Sequence, residues 1–254
     1  MHNCLVGSEM CIRDRYAHLP LVLGEDKKRL SKRHAATSLN AYKEMGFTKE
    51  SIINALALLG WSTENEIFSM NELIKSFNLK NVQKGAAVFD LKRFNWVSSQ
   101  HLAKLNDDAF IEAIHPFMKD EGIDNVAPNY KEILIAMRTS KTNLKEIAYA
   151  TRPFFFELEE YDEKGVNKFL KGSLETLTFA LETLSKISEW NETELDMALI
   201  NVRDYFNLPI PKVNQPMRIA LVGSTISPSL GLTLELFGKE KSLERIKKAI
   251  DFIS

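Results

Sequence analysis

Apolar residues recur three or four positions apart along most of the chain beyond residue 40, which is the spacing of amphipathic helices. The first clear example runs between Thr48, which can cap a helix, and Gly60, which can end one. Its apolar face consists of Ile52, Ile53, Leu56 and Leu59. Two further helix starts are marked by pairs with the spacing of a capping box, Ser69 with Glu72 and Asn191 with Glu194.

The last fifth of the chain also carries signals for helix ends. Pro216 suits the first turn of a helix that runs to Gly223, and Gly238 suits the end of another. A last helix is predicted over residues 242–253. Alternating apolar and polar runs bounded by turn residues, the pattern of strands, are scarce. The sequence therefore predicts a mainly α protein built from small helical bundles.

A compact basic segment precedes the helical pattern. The apolar run 19–23 predicts a buried strand, residues 24–26 predict a turn, and five of the next eight residues, 27–34, are Lys or Arg. Such side chains donate charge-assisted hydrogen bonds to phosphate oxygens, and these donors lower the barrier where charge builds up on phosphate. The segment is therefore a candidate polyphosphate loop. The alternative is an ordinary solvated surface or a loose nucleic-acid patch.

Composition narrows the classes of function. The 254 residues suggest one or two domains, and 44% apolar with 26% charged residues is typical of globular proteins. The formal net charge is -1, so any contact with RNA must come from local clusters of Lys and Arg. No apolar stretch is long enough for a membrane span, and the histidines lack the spacing of a metal site.

The basic segment and four later strings together resemble one protein family. Residues 29–33, Arg-Leu-Ser-Lys-Arg, resemble the Lys-Met-Ser-Lys-Ser loop of class I aminoacyl-tRNA synthetases, and residues 20–34 are similar to its bacterial glutamyl-tRNA synthetase version. Similar strings follow in the family's order at residues 55–62, 87–96, 215–221 and 236–240. The resemblance covers nearly all of residues 19–254.

The resemblance implies an enzyme that uses ATP with Mg²⁺ to join glutamate to its tRNA, tRNA(Glu). It also implies a monomer in the cytoplasm, no membrane partner, and no cofactor bound by this chain alone. Catalytic roles fall to Arg29, Ser31 and Lys32, and contacts with ATP to Leu30, Lys32 and Arg33. Ala35 stands where the family usually has Gly, and this would stiffen the loop slightly because Ala tolerates positive φ poorly.

The resemblance also implies a set of tRNA-binding residues on the helices. They are Lys92, Arg93, Arg138, Lys141, Arg218, Ser227, Pro228 and Leu230. For Lys92 and Arg93 a solvated surface is an equal alternative, and Trp96 is predicted to lie in the core. Around Arg138 the spacing departs from the family's pattern, with Asn143 as an extra residue. The turn at 227–230 is equally an ordinary signal for a helix start.

Four segments are predicted. Residues 1–15 do not fit the family and resemble translated sequencing-adapter DNA, so an artefactual leader is expected there; both cysteines, Cys4 and Cys11, lie in it. Residues 16–40 would be the end of the catalytic domain, 41–105 a helical module that contacts the tRNA stem, and 106–254 an all-α anticodon-binding region. Because no string of the His-Ile-Gly-His type occurs, the chain is expected to be the carboxy-terminal part of a synthetase.

Three functions follow as hypotheses. The chain is a partial glutamyl-tRNA synthetase that is inactive by itself, a tRNA-binding module without chemistry, or an all-helical interaction protein in which the basic loop is incidental. A preceding nucleotide-binding fold would favour the first, and failure to bind any tRNA would leave the third.

Overall fold

A computed structural model describes residues 20–24, 26–29, 38–61, 63, 65–124 and 127–254. These residues form two compact units. The first unit contains the described residues up to 42 together with 49–97, and the second unit contains residues 43–48 and 98–254. Within the described segments, no helix is both long enough and apolar enough to cross a membrane.

The first unit combines a small parallel sheet with short helices. Strand β1 (Val22–Leu23) pairs with β2 (Ala87–Val88), so that Val22 lies opposite Ala87 and Leu23 opposite Val88. Its helices are α2 (Lys49–Ala57), α3 (Met70–Ser76) and a 3-10 turn (Leu79–Asn81). Two more helices, α1 (Leu39–Glu44) and α4 (Leu91–Lys104), begin in the first unit and end in residues of the second. Strand β2 was not predicted, because two residues are too few to show an alternating pattern.

Aromatic rings and one buried amide hold the first unit together. The ring centroids of Tyr42, Phe89 and Phe94 lie 5.0–6.1 Å apart, which joins α1 to the start of α4. The side chain of Asn54 on α2 is buried, and its carbonyl oxygen accepts a hydrogen bond from the Phe68 N–H at 3.1 Å. The bond secures the chain just before α3, at a place where an unpaired amide would be costly.

The second unit is helical. Its further helices are α5 (Asp107–Asp120), α6 (Tyr130–Met137), α7 (Leu144–Phe155), α8 (Glu163–Gly165) with a following π-helical turn (Val166–Leu170), α9 (Leu174–Ser185), α10 (Glu192–Tyr205), α11 (Ile210–Val222), α12 (Leu230–Phe237) and α13 (Lys239–Ile253). Their apolar faces form one continuous core. The 43–48 segment joins this unit through a hydrogen bond from the Leu144 N–H to the Gly46 carbonyl at 2.9 Å.

Side-chain caps explain where several of these helices begin. Asn106, Asn143 and Asn191 cap α5, α7 and α10, each accepting a hydrogen bond from the backbone N–H three residues later at 2.8–3.0 Å. Each bond satisfies one of the N–H groups that a helix start leaves unpaired. The capping box predicted from Ser69 and Glu72 is present at the start of α3, which confirms that prediction.

The ends of α11 to α13 differ from the predictions at two places. Pro216 lies buried inside α11, not in its first turn, and Pro209 provides the N-cap. An interior proline costs one helical hydrogen bond, so here packing outweighs the local signal. The predicted end of α11 at Gly223 is confirmed. The last helix begins at Lys239, three residues earlier than predicted, because Gly238 both ends α12 and caps α13.

Two predicted core positions are exposed. Trp96 is 42% exposed, so its prediction as a core residue was wrong, whereas Phe94 two residues earlier is buried. Residues two positions apart on a helix point about 200° apart, so α4 cannot bury both against one face. Leu56 is also exposed, because the buried face of α2 is rotated toward Ser51 and Asn54.

Candidate functional site

The basic segment begins as a tight turn directly after β1. The Gly24 N–H donates to the Lys28 carbonyl at 2.8 Å, and the Lys27 N–H donates to the Gly24 carbonyl at 2.9 Å. The Asp26 carboxylate accepts a hydrogen bond from the Lys28 N–H at 3.0 Å, and Arg29 forms an antiparallel bridge with Leu23. Lys27, Lys28 and Arg29 are exposed, so their charges are available to an anion.

Of the loop residues assigned to catalysis or to ATP, the structure places Arg29. Leu30, Ser31, Lys32 and Arg33 lie outside the described residues. The described part of the loop offers cationic donors, which suit the oxygens of a phosphate. Mg²⁺ prefers oxygen ligands, and in the segments that the structure describes no group of three acidic, His or Cys side chains is arranged to hold a metal ion. The described donors of the turn therefore suit the oxygens of a phosphate.

Lys92 and Arg93 lie in the first turn of α4. The Asp90 carboxylate accepts hydrogen bonds from the N–H groups of both residues, at 2.8 and 3.3 Å, and so caps the helix. The Arg93 guanidinium forms an ion pair with Glu66 at 2.9 Å. It also lines an apolar cavity of about 320 Å³ in the first unit, next to Phe89. Both side chains are exposed, but the Arg93 guanidinium is already paired with Glu66, so Lys92 is the better placed of the two for a phosphate contact.

Arg138 follows α6, and its guanidinium is held by the second unit itself. One nitrogen donates to the Leu105 carbonyl at 3.0 Å, and another forms a short ion pair with Asp107. The guanidinium carbon lies 5.0 Å from the ring centre of the fully buried Phe110. Only 13% of the side chain is exposed. Lys141 lies three residues further along and is half-buried.

Arg218 and the turn before α12 are brought together by the fold. Arg218 lies near the end of α11, and its guanidinium donates to the Pro228 carbonyl at 3.2 Å. Burial lowers the pKa of the Arg218 guanidinium, although arginine remains protonated in proteins. We call residues 227–229 the contact turn, because Ser227 and Pro228 were predicted to bind tRNA. Both residues are half-buried, so each presents part of its surface to solvent.

The contact turn is also fixed by hydrogen bonds to its neighbours. The hydroxyl of Thr233 on α12 donates to the Ser227 hydroxyl oxygen at 3.2 Å, and the Ser229 hydroxyl donates to the Glu192 carboxylate at 2.5 Å. Leu230, the first residue of α12, is 3% exposed, so its side chain packs in the core of the second unit. The structure therefore unites Arg218, Ser227 and Pro228 and directs the Leu230 side chain away from solvent.

The residues that support this surface were not predicted from the sequence. Glu192 and Asp196 on α10 hold the contact turn and the start of α12, the latter through the Gly231 N–H at 3.1 Å. Arg245 is buried in α13 and bonds two distant carbonyls. A signal for Arg245 was present, because it occupies a core position in the helical repeat formed by Ser242, Ile246 and Ala249.

Two family models match the chain. The model of the anticodon binding domain matches residues 109–250, which is more than half of the chain. The model described as "tRNA synthetases class I (E and Q), catalytic domain" matches residues 4–96. The second match overlaps residues 4–15, for which the artefactual leader stays a prediction. The two matches lie in the same order as the segments predicted from the sequence.

Individual relatives and solved structures agree with these models. The chain is 36% identical over 241 residues to the glutamate–tRNA ligase of Legionella pneumophila (strain Philadelphia 1), covering 94% of the chain and 51% of that relative. It is 38% identical over 242 residues to that of Syntrophotalea carbinolica, with 92% and 51% covered. A crystal structure of a glutamate tRNA ligase from Elizabethkingia meningosepticum, in complex with its amino acid, superposes with a TM-score of 0.74 at 28% identity, covering 94% and 51%. The chain thus spans about half the length of the curated relatives it matches.

Proposed function

The chain belongs to the glutamate–tRNA ligase family of class I aminoacyl-tRNA synthetases, and from this premise we propose that its second unit binds the anticodon end of a glutamate tRNA. The whole protein would activate glutamate with ATP and transfer it to that tRNA. The observation that carries the proposal is the hydrogen bond between Arg218 and the contact turn, within the part of the chain that matches an anticodon binding domain.

The chemistry of this surface suits an unpaired RNA base. Bases in single-stranded loops are recognised by stacking on side chains and by hydrogen bonds at their edges. Arg218 supplies N–H donors, Ser227 supplies a hydroxyl that both donates and accepts, and the ring of Pro228 gives an apolar surface. Because Leu230 is buried, its role would be to hold the turn in place through the core.

The basic turn after β1 would serve the reaction itself. Arg29, Ser31 and Lys32 are proposed to act on the phosphates of ATP, with Leu30 and Arg33 beside them. ATP would bring the leaving pyrophosphate and the Mg²⁺ associated with it, and the chain's own residues would orient and neutralise the phosphate oxygens. The exposed charges of Lys27, Lys28 and Arg29 support this role, since they add further donors at the same turn.

Binding of tRNA by the purified chain tests the proposal. We expect weak, salt-dependent binding of tRNA(Glu), measured by fluorescence anisotropy at several salt concentrations. Arg218→Ala should weaken tRNA(Glu) more than an unrelated tRNA. Lys212→Ala, which removes an exposed charge two turns earlier on α11, is the matched control and should reduce both tRNAs equally or neither. No binding of tRNA(Glu) even at low salt would reject the proposal.

The catalytic part of the proposal has a separate test. The chain as given contains no His-Ile-Gly-His segment, so the reacting groups would not all be held together. We expect the purified chain to show no glutamate-dependent exchange between ATP and pyrophosphate, and the whole protein to show it. Exchange by the chain alone would show that it holds the reacting groups together without a His-Ile-Gly-His segment, and would contradict this part of the proposal.

A further inference from the structure

Arg245 on α13 is a buried charge whose partners are backbone carbonyls. Its side chain is 2% exposed, and its two terminal nitrogens donate to the carbonyls of Leu221 at 2.5 Å and Phe156 at 2.6 Å. The guanidinium carbon lies 4.6 Å from the ring centre of Phe237, which stacks on Phe154 with the ring centres 4.6 Å apart. No carboxylate hydrogen bond to Arg245 is present in the described part of the chain.

The two carbonyls belong to the ends of two different helices. Leu221 lies in the last turn of α11, and Phe156 directly follows α7. The last carbonyls of a helix have no partner within it, and they form the negative end of the helix dipole. A guanidinium placed between two such ends satisfies both carbonyls and recovers part of the cost of its own burial. Arg245 therefore joins α7 and α11 at their ends.

The contact turn depends on the same region of α11. Arg218 lies one helical turn before Leu221, and the chain that leads to the contact turn leaves α11 at Gly223. The Gly223 carbonyl accepts a hydrogen bond from the Asp162 N–H at 2.7 Å, from the segment that begins at Phe156. Both chain segments that fix this exit point are therefore held by the Arg245 guanidinium.

We infer that Arg245 is a positioning residue for RNA recognition: by joining the ends of α7 and α11 it sets the exit of the chain from α11, and with it the position of Arg218 relative to the contact turn. Arg245 itself does not touch the ligand. That ligand is an unpaired base of tRNA, and this identity rests on the proposed function. Arg245 thus acts on RNA selectivity through the backbone and not by contact with the base.

The same helix offers a matched control. Lys241, one turn before Arg245, donates to the Phe154 carbonyl at 3.1 Å and lies 5.6 Å from the Phe237 ring centre. It thus holds the end of α7, and within the described part of the chain it makes no hydrogen bond or ion pair with α11. Lys241→Met should loosen α7 alone, whereas Arg245→Met and the milder Arg245→Lys should loosen both ends. A lysine has one ammonium group and cannot reproduce the planar fork of arginine at two carbonyls.

Hydrogen–deuterium exchange of the unliganded chain tests the positioning independently of RNA. We expect Arg245→Lys to speed exchange in residues 223–229 by about tenfold, the scale of losing one charge-assisted hydrogen bond. Lys241→Met should leave residues 223–229 unchanged. If Arg245→Met fails to fold, the lysine variant still decides the question. Unchanged exchange of residues 223–229 in folded Arg245→Lys overturns the inference.

Binding of tRNA then tests the consequence. In folded Arg245→Lys we expect the preference for tRNA(Glu) over an unrelated tRNA to fall by about tenfold, with the preference of Lys241→Met unchanged. An equal loss of preference in both variants would show that general destabilisation is responsible, and would overturn the inference. If the unsubstituted chain binds no tRNA, the proposed function fails by itself, and the exchange experiment still tests the role of Arg245 in the fold.

Discussion

Replacing Arg138 by alanine should destabilise the second unit, because the structure uses this side chain in three contacts. Arg138→Ala removes the hydrogen bond to the Leu105 carbonyl, the ion pair with Asp107 and the contact with the Phe110 ring. The first two join the end of α6 to the turn before α5 and to the first residue of α5, and the third covers a fully buried aromatic ring. The residue was predicted to bind tRNA, so its structural and RNA-binding roles must be separated.

The magnitude can be estimated from the contacts. A hydrogen bond from a charged donor contributes about 1.5–3 kcal/mol, and a partly desolvated contact between a cation and a ring contributes about 0.5–2 kcal/mol. The ion pair adds little, because Asp107 is 59% exposed. We therefore expect Arg138→Ala to lower the free energy of unfolding by about 2–5 kcal/mol. Asp107→Asn, which removes the ion pair alone, should lower it by less than about 1 kcal/mol.

Urea denaturation of the full chain, followed by far-ultraviolet circular dichroism, measures this difference. A chain of this size should lose about 3 kcal/mol of stability per molar urea, so the midpoint of Arg138→Ala should move down by about 1 M. The double variant with Asp107→Asn should be no less stable than Arg138→Ala, because the ion pair is already lost. Binding of tRNA is then measured well below the midpoint of each variant.

One result would refute this argument. If Arg138→Ala shifts the midpoint no more than Asp107→Asn does, the guanidinium does not hold α5 and α6 together as described. A loss of tRNA(Glu) affinity without a loss of stability would instead support Arg138 as a direct RNA contact. A loss of stability without a change in tRNA affinity would assign Arg138 to the fold.

Three further predictions concern other parts of the chain. Lys32→Ala in the whole protein should slow ATP–pyrophosphate exchange by about 10²–10³, the scale of losing one transition-state donor, and an unchanged rate would remove Lys32 from the mechanism. Gly46→Ala should cost at least about 1 kcal/mol more stability than Gly122→Ala in urea denaturation. Both glycines have positive φ (86° and 75°), but a Cβ at Gly46 would clash with the backbone nitrogen of Lys145, whereas one at Gly122 meets no atom within 4 Å. Equal costs would contradict this. The hydrogen bond from Lys248 lowers the pKa of Glu157, so the contribution of this pair to stability is present above the ordinary carboxyl pKa and is lost as pH falls through the lowered value. Glu157→Gln should therefore flatten that part of the curve of urea midpoint against pH. An identical curve for the variant would show that the pair is not formed.

Local signals in the sequence predicted local features of the fold. The capping box of Ser69 and Glu72 and the helix end at Gly223 depend on residues within a few positions of each other, and both are present. The predictions for Trp96 and Pro216 were wrong because the placement of each residue depends on which face of its helix meets the core. That choice is made by tertiary packing, which can override a residue's local preference.

In the candidate site, too, some residues were identified from the sequence, whereas their contacts were not. The residues of the contact turn were identified through family resemblance, but their support by Arg218 and Glu192 comes from hydrogen bonds that span 10 and 37 positions. The carbonyl partners of Arg245 lie 24 and 89 positions away, and backbone carbonyls leave no trace in the residue types. The helical repeat of α13 could have placed Arg245 at a core position, but it was not predicted, and only the folded chain shows which groups satisfy its charge.

Because residues 43–48 belong to the second unit, related proteins cannot recombine their two units at one position in the chain. The chain passes between the units after residues 42, 48 and 97, so no single cut separates them. If a helical region from another protein were joined at residue 98, residues 43–48 would pack against residues of that other protein. The Gly46 carbonyl would then have to accept its hydrogen bond from a foreign residue in place of Leu144. Successful chimeras should therefore inherit both segments from one parent, and natural shuffling of this region should be rarer than a single boundary would suggest.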